Sequence, residues 1–172
     1  MQLDSRSVRY IKVGFIVRLL LVGVLFLMPI DYRIKTILIF GTDFFDSWTT
    51  KLIAYFYNDV EDPLTLCHTF RYQIIDKSID VFTYFLIAVY LKLSPIFFGL
   101  IFTRLIGTLL FLKTQNSQWL IAFPDVFKEL LLYSWYVSEL NIYNFNAIYF
   151  LKMGFEAFWH TYHNPNRYNS NH

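Results

Sequence analysis

From residue 13 to residue 30 this chain carries a single charge, Arg18, in an otherwise apolar run that closes on Pro29 and Ile30. A helix needs roughly 20 mainly apolar residues to cross the hydrocarbon of a bilayer. Segments of that kind recur along the sequence and leave little room for anything but a membrane fold. We expect six spans: 13–30, 32–57, 70–91, 95–112, 125–137 and 142–160. The second requires Arg33 and Lys35 to snorkel to an interface. The fifth could start earlier, near Trp119, with Pro124 as a kink. The composition agrees. Of the 172 residues, 56% are hydrophobic and only 16% charged, against about 25% charged in an ordinary soluble domain. The expected fold is therefore an all-α, integral membrane bundle of about six transmembrane helices, filling residues 1–161, with a polar tail at 162–172.

Six spans place both ends of the chain on one side. Arg6, Arg9, Lys12, Arg71, Lys113 and Arg167 share it, and Arg33, Lys35 and Lys92 lie opposite. That bias assigns the termini to a cytoplasmic-type or matrix-type side. The first run lacks a small-residue cleavage site and is expected to remain as a helix. The net charge of +2 gives no reason to expect a nucleic-acid partner. The single cysteine, Cys67, excludes an intrachain disulfide and any multi-cysteine metal site.

Two pairs of aspartates interrupt the apolar pattern. Asp43 and Asp46 are three residues apart in the second span, and Asp76 and Asp80 are four apart in the third. Either spacing puts both members of a pair on one helix face. The first pair lies late in span two and the second early in span three. Antiparallel helices joined by a loop bring those two regions to the same depth. A carboxylate at lipid depth is costly unless it is paired, metal-bound or facing water. Four together point to a site for one or two hard cations, Mg²⁺ or Mn²⁺, bound through oxygen. Such ions serve phosphoryl chemistry, and the membrane setting makes a lipid the natural substrate.

The pattern Asp43-x2-Asp46-Ser47-x2-Thr50-Lys51, followed by Tyr72-x3-Asp76-x3-Asp80, resembles the signature of the CDP-alcohol phosphatidyltransferases, D-x2-D-G-x2-A-R … G-x3-D-x3-D. All four acidic positions match, as does the spacing inside each half. The resemblance implies a six-helix fold that transfers a phosphatidyl group from CDP-diacylglycerol to a small alcohol and releases CMP. It implies metal ligation by Asp43, Asp46, Asp76 and Asp80, with Asp80 also the general base. Ser47, Thr50 and Lys51 would face the CDP moiety. Arg18 resembles a basic residue early in the family's first helix. Arg104 and Lys128 stand where relatives with a phosphorylated acceptor carry basic residues, which favours glycerol 3-phosphate. The expected partners are the bilayer itself, CDP-diacylglycerol, and a second copy or a larger membrane complex. The mitochondrial inner membrane is favoured as location over the endoplasmic reticulum or a bacterial plasma membrane.

The chain departs from that signature at Ser47 and Tyr72, where the family has glycine, and at Thr50-Lys51 in place of Ala-Arg. Its spacer, 52–71, is much longer. Tyr72 is expected to fill space that glycine leaves open for nucleotide. These departures support an alternative, a catalytically degenerate relative serving as a structural subunit of a larger membrane complex, for example a respiratory one. A small channel using the acidic cluster as an ion site is a third reading. Simpler roles exist for single residues. Arg18 and Arg104 could snorkel or pair with a carboxylate, Lys128 and Glu129 could pair at an interface, and His68, His160 and His163 suit a loop and a solvated helix end.

Overall fold

The structure is a computed structural model. It describes residues 5–56, 70–116, 118–137 and 140–162, without the side chains of 5–8, 44, 46, 47, 50, 51, 53, 54, 71 and 159–162. Every regular element among the described residues is an α-helix: α1 (Ser5–Leu27), α2 (Tyr32–Phe56), α3 (Phe70–Tyr90), α4 (Pro95–Thr114), α5 (Gln118–Ala122), α6 (Phe127–Tyr136) and α7 (Ile142–Tyr162). The polar loop with Cys67 and His68, and the tail from His163, lie outside the described residues.

The helix ends follow local chemistry. α1 stops just before Pro29, which cannot continue a helix. Asp31 caps α2, its Oδ1 accepting from the backbone N–H of Arg33 at 2.8 Å and of Ile34 at 3.4 Å. That satisfies two of the donors a helix start leaves open. α3 ends on Lys92, which has φ 51°. There Leu93 N–H reaches the Ala88 carbonyl at 3.0 Å and Lys92 N–H the Val89 carbonyl at 3.2 Å, a Schellman arrangement. Ser94 and Pro95 then start α4, proline being preorganised for a first helical position. Asn141 caps α7 through its Oδ1, 2.9 Å from Asn144 N.

Among the described residues, two helices are long and apolar enough to cross a membrane: the 9–27 stretch of α1 and Pro95–Thr114, which is α4. At a 1.5 Å rise per residue, α2, α3 and α7 reach about 30 Å or more, but charged residues interrupt each of them. The fifth expected span, 125–137, holds one helix, α6, whose ten residues cover only about 15 Å. The earlier start near Trp119 falls on a separate helix, α5, with Phe123-Pro124-Asp125-Val126 between the two. Proline lacks the N–H and crowds the preceding turn, so this segment breaks where a kink was allowed for.

The chain divides into two compact units, Met1–Thr83 and Tyr84–His172. In the first, Ile11 and Phe15 of α1 pack with Tyr72 and Ile79 of α3, and Ile75 lies against them. Phe15 and Tyr72 are 5.0 Å apart at 43°. Lys35 is buried, not snorkelling, and its Nζ donates to the Phe26 carbonyl at the end of α1, 3.1 Å away. In the second unit Tyr84 stacks on Phe127 at 4.6 Å, and Phe97 meets the same ring edge-on at 5.6 Å. Gly107 of α4 lets Phe123 approach. A Cβ there would stand 2.6 Å from the Phe123 Cβ, closer than two carbons can pack.

Several charged side chains are buried within a mainly apolar core, while large apolar ones lie exposed. Arg18, Asp80 and Arg104 are at most 3% exposed, while Leu20 and Phe102 are more than 60% exposed. Buried charges call for internal partners, and the site described next supplies them.

Candidate metal centre

Three of the four predicted aspartates come together in the first unit. Asp43 arrives from α2 and Asp76 and Asp80 from one face of α3. One carboxylate oxygen of each lies within 4.8 Å of the others. The cation that gathers them is Arg18 of α1. Its Nη1 is 3.1 Å from Asp43 Oδ1 and 3.0 Å from Asp76 Oδ1, and its Nη2 is 2.5 Å from Asp80 Oδ1. Lys77, between the two α3 aspartates, reaches Asp76 Oδ2 at 2.7 Å and Asp80 Oδ2 at 3.7 Å. Burial is graded: the side chains of Arg18 and Asp80 are 2% and 1% exposed, and that of Asp43 is 30% exposed. The cluster thus has a closed side at Asp80 and an open side at Asp43.

The register that builds this cluster is simple. Phe15 meets Tyr72, and one turn further along each helix Arg18 meets Asp76 and then Asp80. Contacts that advance together on α1 and α3 mean that these helices run in the same direction, with α2 returning between them in sequence. Tyr72 is 6% exposed. Its ring is held in the α1–α3 core one helical turn before Asp76, beneath the charges.

An all-oxygen donor set suits a hard divalent ion. An Mg²⁺ ion with oxygens at about 2.1 Å holds opposed ligands about 4.2 Å apart, inside the 4.8 Å that bounds the three oxygens. Three carboxylates against one guanidinium and one ammonium leave a net charge of −1 among the described side chains. Asp46, Ser47, Thr50 and Lys51 belong to the same helix as Asp43, but their side chains lie outside the described residues.

Arg104 and Lys128 belong to the second unit. Arg104 is 3% exposed, and its Nη1 donates to the carbonyls of Phe123 at 2.9 Å and Leu120 at 3.3 Å. The guanidinium thereby meets carbonyls freed at the end of α5. Lys128 Nζ lies 5.7 Å from the centre of the Tyr84 ring. Glu129 pairs with Lys152 at 2.6 Å. Sequence reasoning passed over Lys77, although its place between two aspartates on one face was a visible signal. It also passed over a buried hydrogen bond from Tyr84 Oη to Asp125 Oδ2 at 2.5 Å, between residues 41 apart that no local pattern links.

With this geometry established, comparison with known proteins adds no family. No protein-family model, curated protein or solved structure matches this chain.

Proposed function

We propose that the protein is a membrane-embedded, divalent-metal-dependent phosphatidyltransferase that moves a phosphatidyl group from CDP-diacylglycerol to a small alcohol, with glycerol 3-phosphate the favoured acceptor. The observation that carries this reading is the convergence of Asp43, Asp76 and Asp80 from two helices to within 4.8 Å. Buried carboxylates repel one another and rarely cluster without a task. On this reading Asp43, Asp46, Asp76 and Asp80 hold one or two Mg²⁺ or Mn²⁺ ions. When bound, the metal neutralises phosphate oxygens and orients the reacting groups.

The protein's own residues do the rest. Asp80 accepts the proton of the acceptor hydroxyl. The hydroxyl oxygen forms the new bond to the lipid phosphorus, and the bond to CMP breaks. Ser47, Thr50 and Lys51 follow Asp46 on α2 and would face the nucleotide. The assignment of Arg104 and Lys128 to an acceptor phosphate rests on the sequence resemblance alone. The exposed apolar side chains and buried charges support an integral membrane setting, and on this reading the mitochondrial inner membrane is favoured.

A second reading has its own support. Arg18 already contacts all three carboxylates, and the Tyr72 ring fills the core beside Asp76. A degenerate relative serving as a structural subunit of a larger membrane complex would need no more. The two readings separate in one assay. Purified protein in lipid nanodiscs is supplied with CDP-diacylglycerol, Mg²⁺ or Mn²⁺, and glycerol 3-phosphate, inositol or serine. The enzyme reading predicts CMP release that chelation abolishes and that is fastest with glycerol 3-phosphate. No CMP from any acceptor would leave the structural reading.

A further inference from the structure

We infer that Arg18 is a built-in competitor for the divalent cation, a tethered guanidinium that must leave the aspartates before metal can load. The inference rests on the reading that these aspartates take a metal. Its basis is positional. Asp43, Asp76 and Asp80 each bring one carboxylate oxygen within 4.8 Å of the others, and Arg18 engages Oδ1 of all three at 2.5–3.1 Å. Nη1 alone touches two carboxylates that come from different helices. A metal ligated by these three carboxylates competes with Arg18 for the same groups in the same small volume. Guanidinium and metal are like charges, and at such a distance in a buried setting they repel strongly. Loading is therefore an exchange.

The exchange has a structural benefit. In the metal-free protein the guanidinium prevents the three carboxylates from repelling one another and keeps the site assembled. Arginine suits this role because its planar fork donates to several carboxylates at once. Lys77 differs. It reaches the outer oxygens of Asp76 and Asp80 and is 23% exposed, so it tunes the charge without occupying the centre. Among the described side chains, the charged groups facing the site are Arg18 from α1, Asp43 from α2, and Asp76, Lys77 and Asp80 from α3. The Asp46 side chain lies outside the described residues.

The test measures binding of Mn²⁺ alone to the full chain in nanodiscs, by electron paramagnetic resonance of the free ion. Arg18→Gln should bind Mn²⁺ at least tenfold more tightly than wild type, and Lys77→Gln should gain clearly less. Equal gains in the two variants would reduce the effect to net charge and overturn the inference. So would an Arg18→Gln affinity equal to or weaker than wild type. A measurement on the unsubstituted protein guards against misfolding of the variant. In arginine-labelled wild type, the guanidinium signal of Arg18, assigned by its loss in Arg18→Lys, should shift in step with added Mg²⁺. A signal that stays in place while metal binds overturns the inference alone. Failure of both wild type and Arg18→Gln to bind Mn²⁺ removes it together with the proposed function. Tighter binding by Arg18→Gln in a protein that releases no CMP supports the competitor role and removes only the transferase reading.

Discussion

Asp80→Asn is expected to lower CMP release by roughly 10²–10⁴-fold, the range for loss of a positioned general base. The substitution is nearly isosteric. The Asn side-chain oxygen can still accept the Arg18 Nη2 hydrogen bond now made by Asp80 Oδ1 at 2.5 Å, so the α1–α3 register should survive. The amide cannot take a proton from an acceptor hydroxyl. Mn²⁺ binding should persist, because Asp43, Asp46 and Asp76 remain. A steady-state CMP assay beside a Mn²⁺ titration separates the two effects. Full turnover by the Asn variant would exclude Asp80 as the base, and loss of both activity and metal would make it chiefly a ligand.

Arg18→Leu should have the largest effect on stability, about 3–5 kcal/mol in the metal-free protein. That is the usual cost of removing one partner from a buried ion pair. Leucine suits the apolar surface of α1 and fits the local helix propensity, so the loss would not come from α1 itself. It would come from Asp43, Asp76 and Asp80 left facing one another, with Asp80 only 1% exposed and Lys77 as the remaining cation described there. Added Mn²⁺ should restore much of the loss, since the ion replaces the missing charge. Denaturation of the nanodisc protein with and without chelator reads both. A variant as stable as wild type in chelator would mean that Arg18 does not hold the cluster together.

The sequence made some of this legible and concealed the rest, for identifiable reasons. Helical spacing within Asp43/Asp46 and Asp76/Asp80 is a local property. So was the inference that late α2 and early α3 share a depth, and Asp43 does meet Asp76 and Asp80. Helix ends near Pro29, Asp31 and Ser94-Pro95 were likewise local. The partner of Arg18 was not. Which carboxylates it reaches depends on the rotation of α1 against α3, which is set by packing such as Phe15 on Tyr72. Pairing with a carboxylate had been counted among its simpler roles, and that is what the structure contains. The break between α5 and α6 was half visible. Pro124 marked the place, but the Gly107–Phe123 approach and the capture of the α5 carbonyls by Arg104 are tertiary. Lys35 shows the same limit: its spacing suited an interface, yet it is buried against the end of α1.

The central claim is that these aspartates hold a divalent cation, and locating the ion tests it most directly. Crystals of the full chain grown in lipid with Mn²⁺ would be measured at the manganese absorption edge. The account predicts an anomalous peak about 2.0–2.6 Å from carboxylate oxygens of Asp43, Asp76 and Asp80, with the Arg18 guanidinium withdrawn from them. Aspartates still paired with Arg18 and Lys77, and no peak at the cluster in saturating Mn²⁺, would contradict it.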